Sequence, residues 1–302
     1  MQICVDSPVT FFKPYACRRS FDRKNTPQVL KNKEYFDIMK KNYFTRKEFA
    51  MIKVCTFNLR INNAGDGVNC FDNRVGRICN VIRRERPELI GFQEGNEYML
   101  GRLSEILTEY DVVGCGREKD YSGESASVAI LKGRFKVISV ENFWLSHTPG
   151  VAGSSFGGDQ SRCPRITTSV QLYNKDSGKV FRFCNTHLDH KGKDARLLGA
   201  RQICEHLEKH PEPFVLTGDF NARPESDVIE HVRKFCHEGR ATRDLTENIS
   251  GSFHGFGTRE IPTKIDYIFT DAGAKEAYAV SEGEIDGIYV SDHDPLFAEI
   301  EL

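Results

Sequence analysis

The sequence lacks the patterns that assign many chains to a class at once. No apolar run approaches the roughly 20 residues of a membrane-spanning helix. The first residues have neither the basic nor the apolar segment of a secretory signal. No G-x-S-x-G segment forms a nucleophile elbow between a strand and a helix, since the one match, at 153–157, lies in a Gly- and Ser-rich loop; the G-x-x-x-x-G-K-[ST] and G-x-G-x-x-G patterns are absent. Their absence weighs against serine acyl hydrolases and against nucleotide-triphosphate and dinucleotide enzymes.

The ten cysteines are scattered singly, and none forms a C-x-x-C pair. This spacing argues against zinc fingers. Cys55 and Cys184 stand inside apolar strand patterns, where a free thiol behaves as a small hydrophobic side chain. The cysteines therefore predict a reducing compartment, and we expect a cytoplasmic protein.

The net charge of −1 hides an asymmetry between the front of the chain and the rest. Residues 1–50 hold 11 Lys and Arg against 5 Asp and Glu, whereas residues 51–302 hold 31 against 38. We expect the front to be a basic, loosely ordered extension with one helix near 32–47. A nucleic-acid-binding arm is the alternative. Met51 opens a strand as a native N-terminus often does, so a translation start at Met51 is a third hypothesis.

From Met51 onward the apolar pattern becomes regular and predicts a single domain over residues 51–302. Strand patterns and i, i+3, i+4, i+7 helix patterns occur in both halves. They predict two mixed sheets packed face to face with helices outside. The predicted strands are 52–57, 89–92, 112–114, 127–131, 137–145, 166–173, 180–187, 214–217, 265–270, 277–281 and 296–300. The predicted helices are 72–86, a segment around 99–107, 194–209 and 227–235.

Polar side chains stand where these predicted strands end. Asn58, Glu94, His187 and Asp292-His293 are such residues, and Asp219 and Asn221 follow a buried strand that we expect to break at Gly218. On an extended backbone a spacing of two places both side chains on one side. That arrangement suits holding and deprotonating a water molecule. Asp266 interrupts an apolar strand and needs a partner, because an unpaired buried carboxylate costs several kcal/mol; His293 is the candidate.

The residue types indicate a class of chemistry. Carboxylate and amide oxygens without cysteine ligands suit Mg²⁺, with Mn²⁺ as an alternative. Histidines can donate protons or stabilise a developing oxyanion. Together they fit metal-assisted attack of water on a phosphoester. A Gly- and Ser-rich loop over residues 146–165 carries Arg162 and Arg165, which could hold a phosphate or be surface arginines.

Six motifs in order carry a resemblance to a known family. They are Thr56-Phe-Asn58-Leu-Arg60, Gly91-Phe-Gln-Glu94, Asn185-Thr-His187-Leu-Asp189, Thr217-Gly-Asp219-Phe-Asn221, Lys264-Ile-Asp266-Tyr-Ile-Phe269 and Ser291-Asp292-His293. From about residue 52 to the C-terminus the chain resembles the endonuclease/exonuclease/phosphatase superfamily. Other segments, such as Trp144-Leu-Ser-His-Thr-Pro149, look most like a bacterial-type branch whose substrates are mostly unassigned. The resemblance implies the DNase I-like fold, a four-layer α/β sandwich.

The resemblance also implies roles for individual residues. Glu94 would be the main metal ligand, Asn58 beside it would touch the metal or the phosphate, and Asp292 would support the metal. Asp219 would deprotonate the attacking water, and Asn221 would hold the phosphate. His293, braced by Asp266, would stabilise the transition state, and His187 would contact a phosphate oxygen or protonate the leaving group.

The prediction is a divalent-metal-dependent phosphoester hydrolase with a phosphoester as its partner and no membrane span. The sequence leaves open a small phosphodiester, a phosphomonoester such as a sugar phosphate, a lipid head group, or DNA or RNA. Arg60 stands where apurinic-site endonucleases of this family carry an acidic residue, which disfavours abasic-site repair. A catalytically inactive phosphate-binding module would have lost at least one of Glu94, Asp219, Asn221 or His293, and all four are present.

Overall fold

The computed structural model describes residues 51–302. The predicted extension and its helix at 32–47 lie outside the described residues. The strands are β1 Met51–Asn58, β2 Leu89–Gln93, β3 Tyr110–Val113, β4 Val128–Leu131, β5 Phe135–Trp144, β6 Ile166–Asn174, β7 Val180–His187, β8 Phe214–Asp219, β9 Cys236–His237, β10 Arg240–Ala241, β11 Arg243–Asp244, β12 Asp266–Thr270, β13 Tyr278–Ala279 and β14 Leu296–Glu301. The helices are α1 Phe71–Glu85, α2 Glu97–Ile106, α3 Lys193–Glu208 and α4 Asp227–Lys234, preceded by a 3-10 segment Ala64–Asn69.

Two six-stranded mixed sheets form the centre of the domain. The first sheet has the order β13-β14-β1-β2-β4-β3, and the second has the order β11-β12-β8-β7-β6-β5. Their facing surfaces share a buried core to which β1, β2 and β4 contribute from one side and β6, β7 and β8 from the other. Helices α1 and α2 cover the outer face of the first sheet, and α3 and α4 cover that of the second. The predicted two-sheet α/β sandwich flanked by helices is confirmed.

Local sequence explains where the helices begin and end. The apolar positions of α1 fall on one face, at Val75, Ile78, Cys79 and Ile82, and all are buried. Arg86 then adopts a left-handed conformation, with φ 49°, and its N–H donates to the carbonyl of Ile82. Ser226 caps α4 by accepting the Ile229 N–H, which satisfies a donor that the first helical turn leaves free.

Two sequence expectations about strands are wrong. β8 does not break at Gly218 but continues to Asp219. Glycine is required there by a close approach, since a Cβ would lie 2.4 Å from the Thr186 carbonyl oxygen on β7. The three short strands β9 to β11 escaped the sequence analysis, because two-residue strands are too short to show an apolar alternation.

The 146–165 loop contains no regular element, as predicted, yet it is tied to the second sheet and α3. The Leu145 N–H donates to the Arg165 carbonyl across the base of the loop. The Asp159 carboxylate accepts the N–H groups of Asp194 and Ala195 at the start of α3. An acidic side chain at this helix end also interacts favourably with the helix dipole.

A buried polar network joins the two sheets. Gln93 Nε2 donates to Asn185 Oδ1 at 2.6 Å and to Thr56 Oγ1 at 3.1 Å. Asn185 Nδ2 donates to the carbonyls of Phe92 and Ser127, at 2.8 Å and 2.9 Å. These residues come from motifs that the sequence analysis assigned to chemistry, and here they set the spacing between the sheets.

Two further findings concern membrane-spanning helices and cysteines. Among residues 51–302, no helix has the length and apolar character to cross a membrane. All eight cysteines of this described part are free thiols.

Candidate active site

Strand direction brings the predicted site residues to one edge of the sandwich. β1 and β2 are parallel neighbours, so Asn58 at the end of β1 lies beside Gln93, which precedes Glu94. β7 and β8 are also parallel, and His187 is paired with Asp219. β12 runs antiparallel to β8, which places its first residue, Asp266, opposite Asp219. The same edge therefore receives side chains from both sheets.

Asp219 lies at the centre of this edge and is almost fully buried. Its Oδ2 accepts Asn58 Nδ2 at 3.0 Å and lies 3.6 Å from His187 Nε2 and 3.8 Å from His293 Nε2. Burial raises the pKa of Asp219 well above its ordinary value, and the negative charge of Asp266 adds to this rise. A carboxylate with a raised pKa is a stronger base, which suits proton abstraction from water.

His293 is held by Asp266 from behind. His293 Nδ1 lies 2.7 Å from Asp266 Oδ2, and the same oxygen accepts the Ser252 hydroxyl at 2.6 Å. Burial lowers the pKa of His293, but the charge and hydrogen bond of Asp266, together with the charges of Asp292 and Asp219, raise the pKa to about 10. His293 is therefore cationic at neutral pH and faces Asp219 with Nε2. Ser252 escaped the sequence analysis, because it lies 14 residues from Asp266 in a segment with no pattern.

Asp219, Asp266 and His293 place one possible ligand atom each within 4.8 Å of one another. A cationic imidazole has no lone pair to offer a metal, because both nitrogens carry protons. This group is therefore better suited to proton and charge relay than to metal binding.

The residues predicted to hold a metal lie beside this relay. Glu94 adopts a left-handed backbone conformation, with φ 62°, directly after β2. Its Oε1 accepts Asn58 Nδ2 at 3.1 Å, and its Oε2 accepts the Ile61 N–H at 2.8 Å. Burial raises the pKa of Asp292, and the charge of Glu94 adds to the rise while that of His293 opposes it. Two carboxylates whose charges disfavour each other fit a hard divalent cation, which would relieve that repulsion.

The contacts of Asn58 and Arg60 define this side of the site further. Asn58 Oδ1 accepts the Arg60 N–H at 2.9 Å. The Asn58 Nδ2 group on the other side of the amide donates to the carboxylates of Glu94 and Asp219. Arg60 forms a two-pronged ion pair with Asp66, and its Nε lies 3.8 Å from Asp292 Oδ2. A fixed positive charge thus stands next to Asp292.

The Asp219–Asn221 segment differs from the sequence expectation in its local geometry. The chain is not extended there, because Asn221 adopts a left-handed conformation with φ 48°. The turn brings the Asn221 N–H to Asp219 Oδ1 at 2.8 Å. Asn221 Nδ2 lies 3.1 Å from both His187 Nε2 and the Leu188 carbonyl oxygen. The two residues are together, as expected, but a turn rather than strand alternation joins them.

The two predicted phosphate-binding arginines lie in different environments. Arg162 is exposed, whereas Arg165 is buried, with only 4% of its surface exposed. Arg165 Nη2 lies 2.8 Å from His190 Nδ1, while Nε and Nη1 have no hydrogen-bond partner. Burial lowers the pKa of His187 well below its usual value, and the charge of Arg165 lowers it further. The structure therefore gives Arg165 an electrostatic effect on the site and leaves Arg162 at the surface.

Arg74 was missed by the sequence analysis and supports both metal-side segments. Its guanidinium is fully buried and donates to the carbonyls of Leu59 at 2.7 Å, Arg60 at 2.9 Å and Val290 at 3.0 Å. Nε donates to the Asn69 carbonyl at 2.6 Å. Arg74 thereby fixes the chain after Asn58 to the chain before Asp292. An arginine in a helix pattern normally reads as solvent-exposed, so no local signal identified it.

Arg74→Met is expected to destabilise the fold by about 3 kcal/mol, because buried carbonyls lose a charged donor. It is also expected to lower kcat, since the segments carrying Asn58 and Asp292 lose their common support. Urea unfolding and phosphoester hydrolysis would measure the two effects. The matched control is Arg83→Met on the exposed side of α1, which should change neither. Wild-type stability in Arg74→Met would contradict this role.

Comparison with known proteins now adds to this geometry. The model of the endonuclease/exonuclease/phosphatase family matches residues 55–293. An endonuclease/exonuclease/phosphatase from Bacteroides vulgatus is 30% identical, with a TM-score of 0.77 over 84% of this chain and 99% of that chain. The mannosyl-6-phosphatase Bt3783 from Bacteroides thetaiotaomicron is 27% identical, with a TM-score of 0.74 over 83% of this chain and 100% of its own.

A relative also occurs outside bacteria. A protein of Acanthamoeba polyphaga mimivirus is 26% identical in an alignment 242 residues long, which covers 75% of this chain and 90% of that protein. The matched family segment contains all the site residues described above, from Asn58 to His293. The chain therefore belongs to the endonuclease/exonuclease/phosphatase family.

Proposed function

We propose that this protein is a divalent-metal-dependent phosphoester hydrolase in which Asp219 is the general base. The observation that carries the proposal is the environment of Asp219. This buried carboxylate has a raised pKa, faces His293 and accepts a hydrogen bond from Asn58. Similarity to phosphoester hydrolases of the same family supports it. The nucleophile is water, so no side chain needs to form a covalent bond to the substrate.

The proposed reaction is a single displacement at phosphorus. Asp219 accepts a proton as the water oxygen forms its bond to phosphorus and the bond to the leaving oxygen breaks. The cationic ring of His293 stabilises the negative charge that develops on the phosphoryl oxygens. Asn221 and His187 also lie next to the Asp219 carboxylate, and we place the phosphate beside them. The leaving oxygen takes a proton from solvent or from a side chain at this edge.

The proposed metal ligands are Glu94 and Asp292, with Asn58 holding the Glu94 carboxylate. Mg²⁺ suits an oxygen-only donor set, and Mn²⁺ is the alternative. When bound, a divalent cation would stabilise the negative charge on the phosphoryl oxygens and orient the substrate. Arg60, 3.8 Å from Asp292, supplies a further positive charge at this end of the site.

For the substrate we propose a small phosphomonoester such as a sugar phosphate. The mannosyl-6-phosphatase similarity supports this class. The charge of residues 51–302 supports it too, since Asp and Glu outnumber Lys and Arg by 38 to 31. A polynucleotide substrate draws much of its affinity from phosphate neutralisation by basic residues. A nuclease acting on DNA or RNA remains the second candidate, which the same assay tests.

A substrate panel tests the proposal on the full-length protein. We expect phosphate release from hexose 6-phosphates in Mg²⁺, loss of activity in EDTA, and recovery when Mg²⁺ or Mn²⁺ is restored. The panel also contains bis(p-nitrophenyl) phosphate and single-stranded oligonucleotides. Cleavage of the oligonucleotides alone would favour the nuclease. Equal activity of the wild type and Asp219→Asn on every substrate would contradict the hydrolase and favour an inactive phosphate-binding module.

A further inference from the structure

A second group of metal-binding side chains lies on the outer face of the second sheet. It consists of Glu141 on β5, His206 in the last turn of α3, and His210 just beyond that helix. One carboxylate oxygen and one ring nitrogen of each histidine lie within 4.8 Å of one another. Two imidazoles and one carboxylate are a donor set that binds zinc in proteins.

This group is separate from the active site. Glu141 Oε1 accepts Arg182 Nη1 at 3.0 Å, and Arg182 stands near the start of β7, whereas His187 ends that strand. Five residues of extended strand cover about 16 Å. The two centres therefore lie toward opposite ends of the same strand, and neither shares a side chain with the other.

The hydrogen bonds of His210 leave one nitrogen free for a metal. Its Nδ1 lies 2.8 Å from the His206 carbonyl oxygen, which can only accept, so Nδ1 carries a proton. In the neutral ring Nε2 then has a lone pair, and it lies 3.8 Å from Glu141 Oε1. In a tetrahedral zinc site two ligand atoms are about 3.3 Å apart, so a small approach would suffice.

His206 is held in place and is neutral. Its Nε2 lies 2.9 Å from Ser169 Oγ, which itself accepts Arg182 Nη1 at 2.8 Å. The ring packs between Phe143 and His210, with ring centroids 4.6 Å away on both sides. Burial, together with the neighbouring His210, lowers the pKa of His206 to about 3. Fixing one imidazole nitrogen by a hydrogen bond is how proteins orient histidines that bind metals through the other.

A fixed positive charge already stands beside this group. Arg182 donates to Glu141 Oε1 at 3.0 Å and pairs with Glu212 as well, so a bound ion would share the Glu141 carboxylate with a guanidinium. Without a bound ion, Glu141 and His210 form only a 3.8 Å contact when the imidazole is protonated. Such a loose contact between partly exposed groups contributes little to stability.

We propose that Glu141, His206 and His210 bind a Zn²⁺ ion that joins β5 to the end of α3. The nitrogen-rich donor set favours zinc over Mg²⁺, which prefers oxygen ligands. The two centres therefore select different metals. The ion would act as a structural cross-link, because the site lies far from the proposed phosphate position.

Calorimetric titration of Zn²⁺ into metal-free, reduced, full-length protein tests the site, with excess Mg²⁺ present to occupy the catalytic centre. The wild type should bind one equivalent of Zn²⁺ and unfold at a higher temperature when it is bound. His210→Ala and Glu141→Gln should weaken that binding by at least about tenfold, as for the loss of groups that build a metal site. Both side chains are partly or fully exposed, so the variants should fold.

His231→Ala on α4 and Cys236→Ser are the matched controls, since each removes a possible zinc ligand elsewhere on the surface. Both should bind Zn²⁺ as the wild type does. Unchanged binding in His210→Ala would overturn the proposal. So would Zn²⁺ binding that is lost in Glu94→Gln and kept in His210→Ala, because the ion would then occupy the catalytic centre. Hydrolysis in Mg²⁺ should be the same in His210→Ala and the wild type, so this test stands apart from that of the proposed function.

Discussion

Asp219→Asn is expected to lower kcat for phosphoester hydrolysis by about 10²- to 10⁴-fold, because the attacking water loses the group that accepts its proton. The substitution keeps the size of the side chain but only one of its two accepted hydrogen bonds, because the new NH2 group must face either Asn58 Nδ2 or the Asn221 N–H. The removal of an unfavourable buried charge offsets this loss. Burial raises the pKa of Asp219, so the folded protein binds this proton more tightly than the unfolded chain does, and the ionised carboxylate at neutral pH lowers stability. The unfolding midpoint of Asp219→Asn should equal or exceed that of the wild type.

Asp271→Asn is the control for a buried carboxylate without a role in the chemistry. Asp271 accepts the Phe214 N–H, His237 Nδ1 and Arg240 Nε at the opposite end of β8. We expect a lower unfolding midpoint and an unchanged kcat for folded protein. Asp219→Asn should therefore lose activity and keep stability, whereas Asp271→Asn should lose stability and keep activity. A kcat near that of the wild type in Asp219→Asn would show that another group is the base.

Gly91→Ala is expected to destabilise the protein by about 1–3 kcal/mol or more, the cost of inserting an atom into a packed interior. A Cβ at position 91 would lie 2.4 Å from both Asn185 Oδ1 and Thr217 Oγ1 on the second sheet. Those atoms belong to the polar network between the sheets, so the network must break or the sheets must separate. Because Glu94 stands on the first sheet and Asp219 on the second, kcat should fall as well. Urea unfolding and steady-state kinetics give the two numbers.

Gly101→Ala provides the matched control for this substitution. Gly101 lies inside α2, and a Cβ there would meet no atom within 4 Å. Alanine in a helix interior is favoured over glycine by roughly 0.5–1 kcal/mol, so this variant should be more stable than the wild type with unchanged kcat. If both variants had the same stability, the close approach of the two sheets at Gly91 would not determine their spacing.

Strand ends were predictable from sequence because a change from apolar to polar residues marks them. Asn58 and His187 are the last residues of their strands in the structure, whereas the strand before Asp219 runs two residues further than expected. The contact of Asp266 with His293 followed from a general cost, since a carboxylate in an apolar strand requires a partner. Both inferences used only the neighbourhood of each residue along the chain.

The features that sequence reasoning missed depend on contacts between distant segments. Gly91 looked like part of a catalytic motif, yet its constraint comes from Asn185 and Thr217 on the other sheet. Arg74 bonds the Val290 carbonyl, 216 residues away. The left-handed turn at Asn221 is local, but asparagine also adopts other conformations, so residue type alone did not indicate it.

The pairing of β1 with β14 has a consequence for synthesis of the protein. Met51 on β1 pairs with Glu301 on β14, so one edge of the first strand stays unpaired until the last strand has been synthesised. A chain still emerging from the ribosome can carry Glu94 and Asp219 but not yet Asp292 and His293. The proposed hydrolytic centre is therefore completed only when nearly the whole domain has been made. Under the proposed mechanism, a nascent chain that lacks these two residues would not yet hydrolyse phosphoesters.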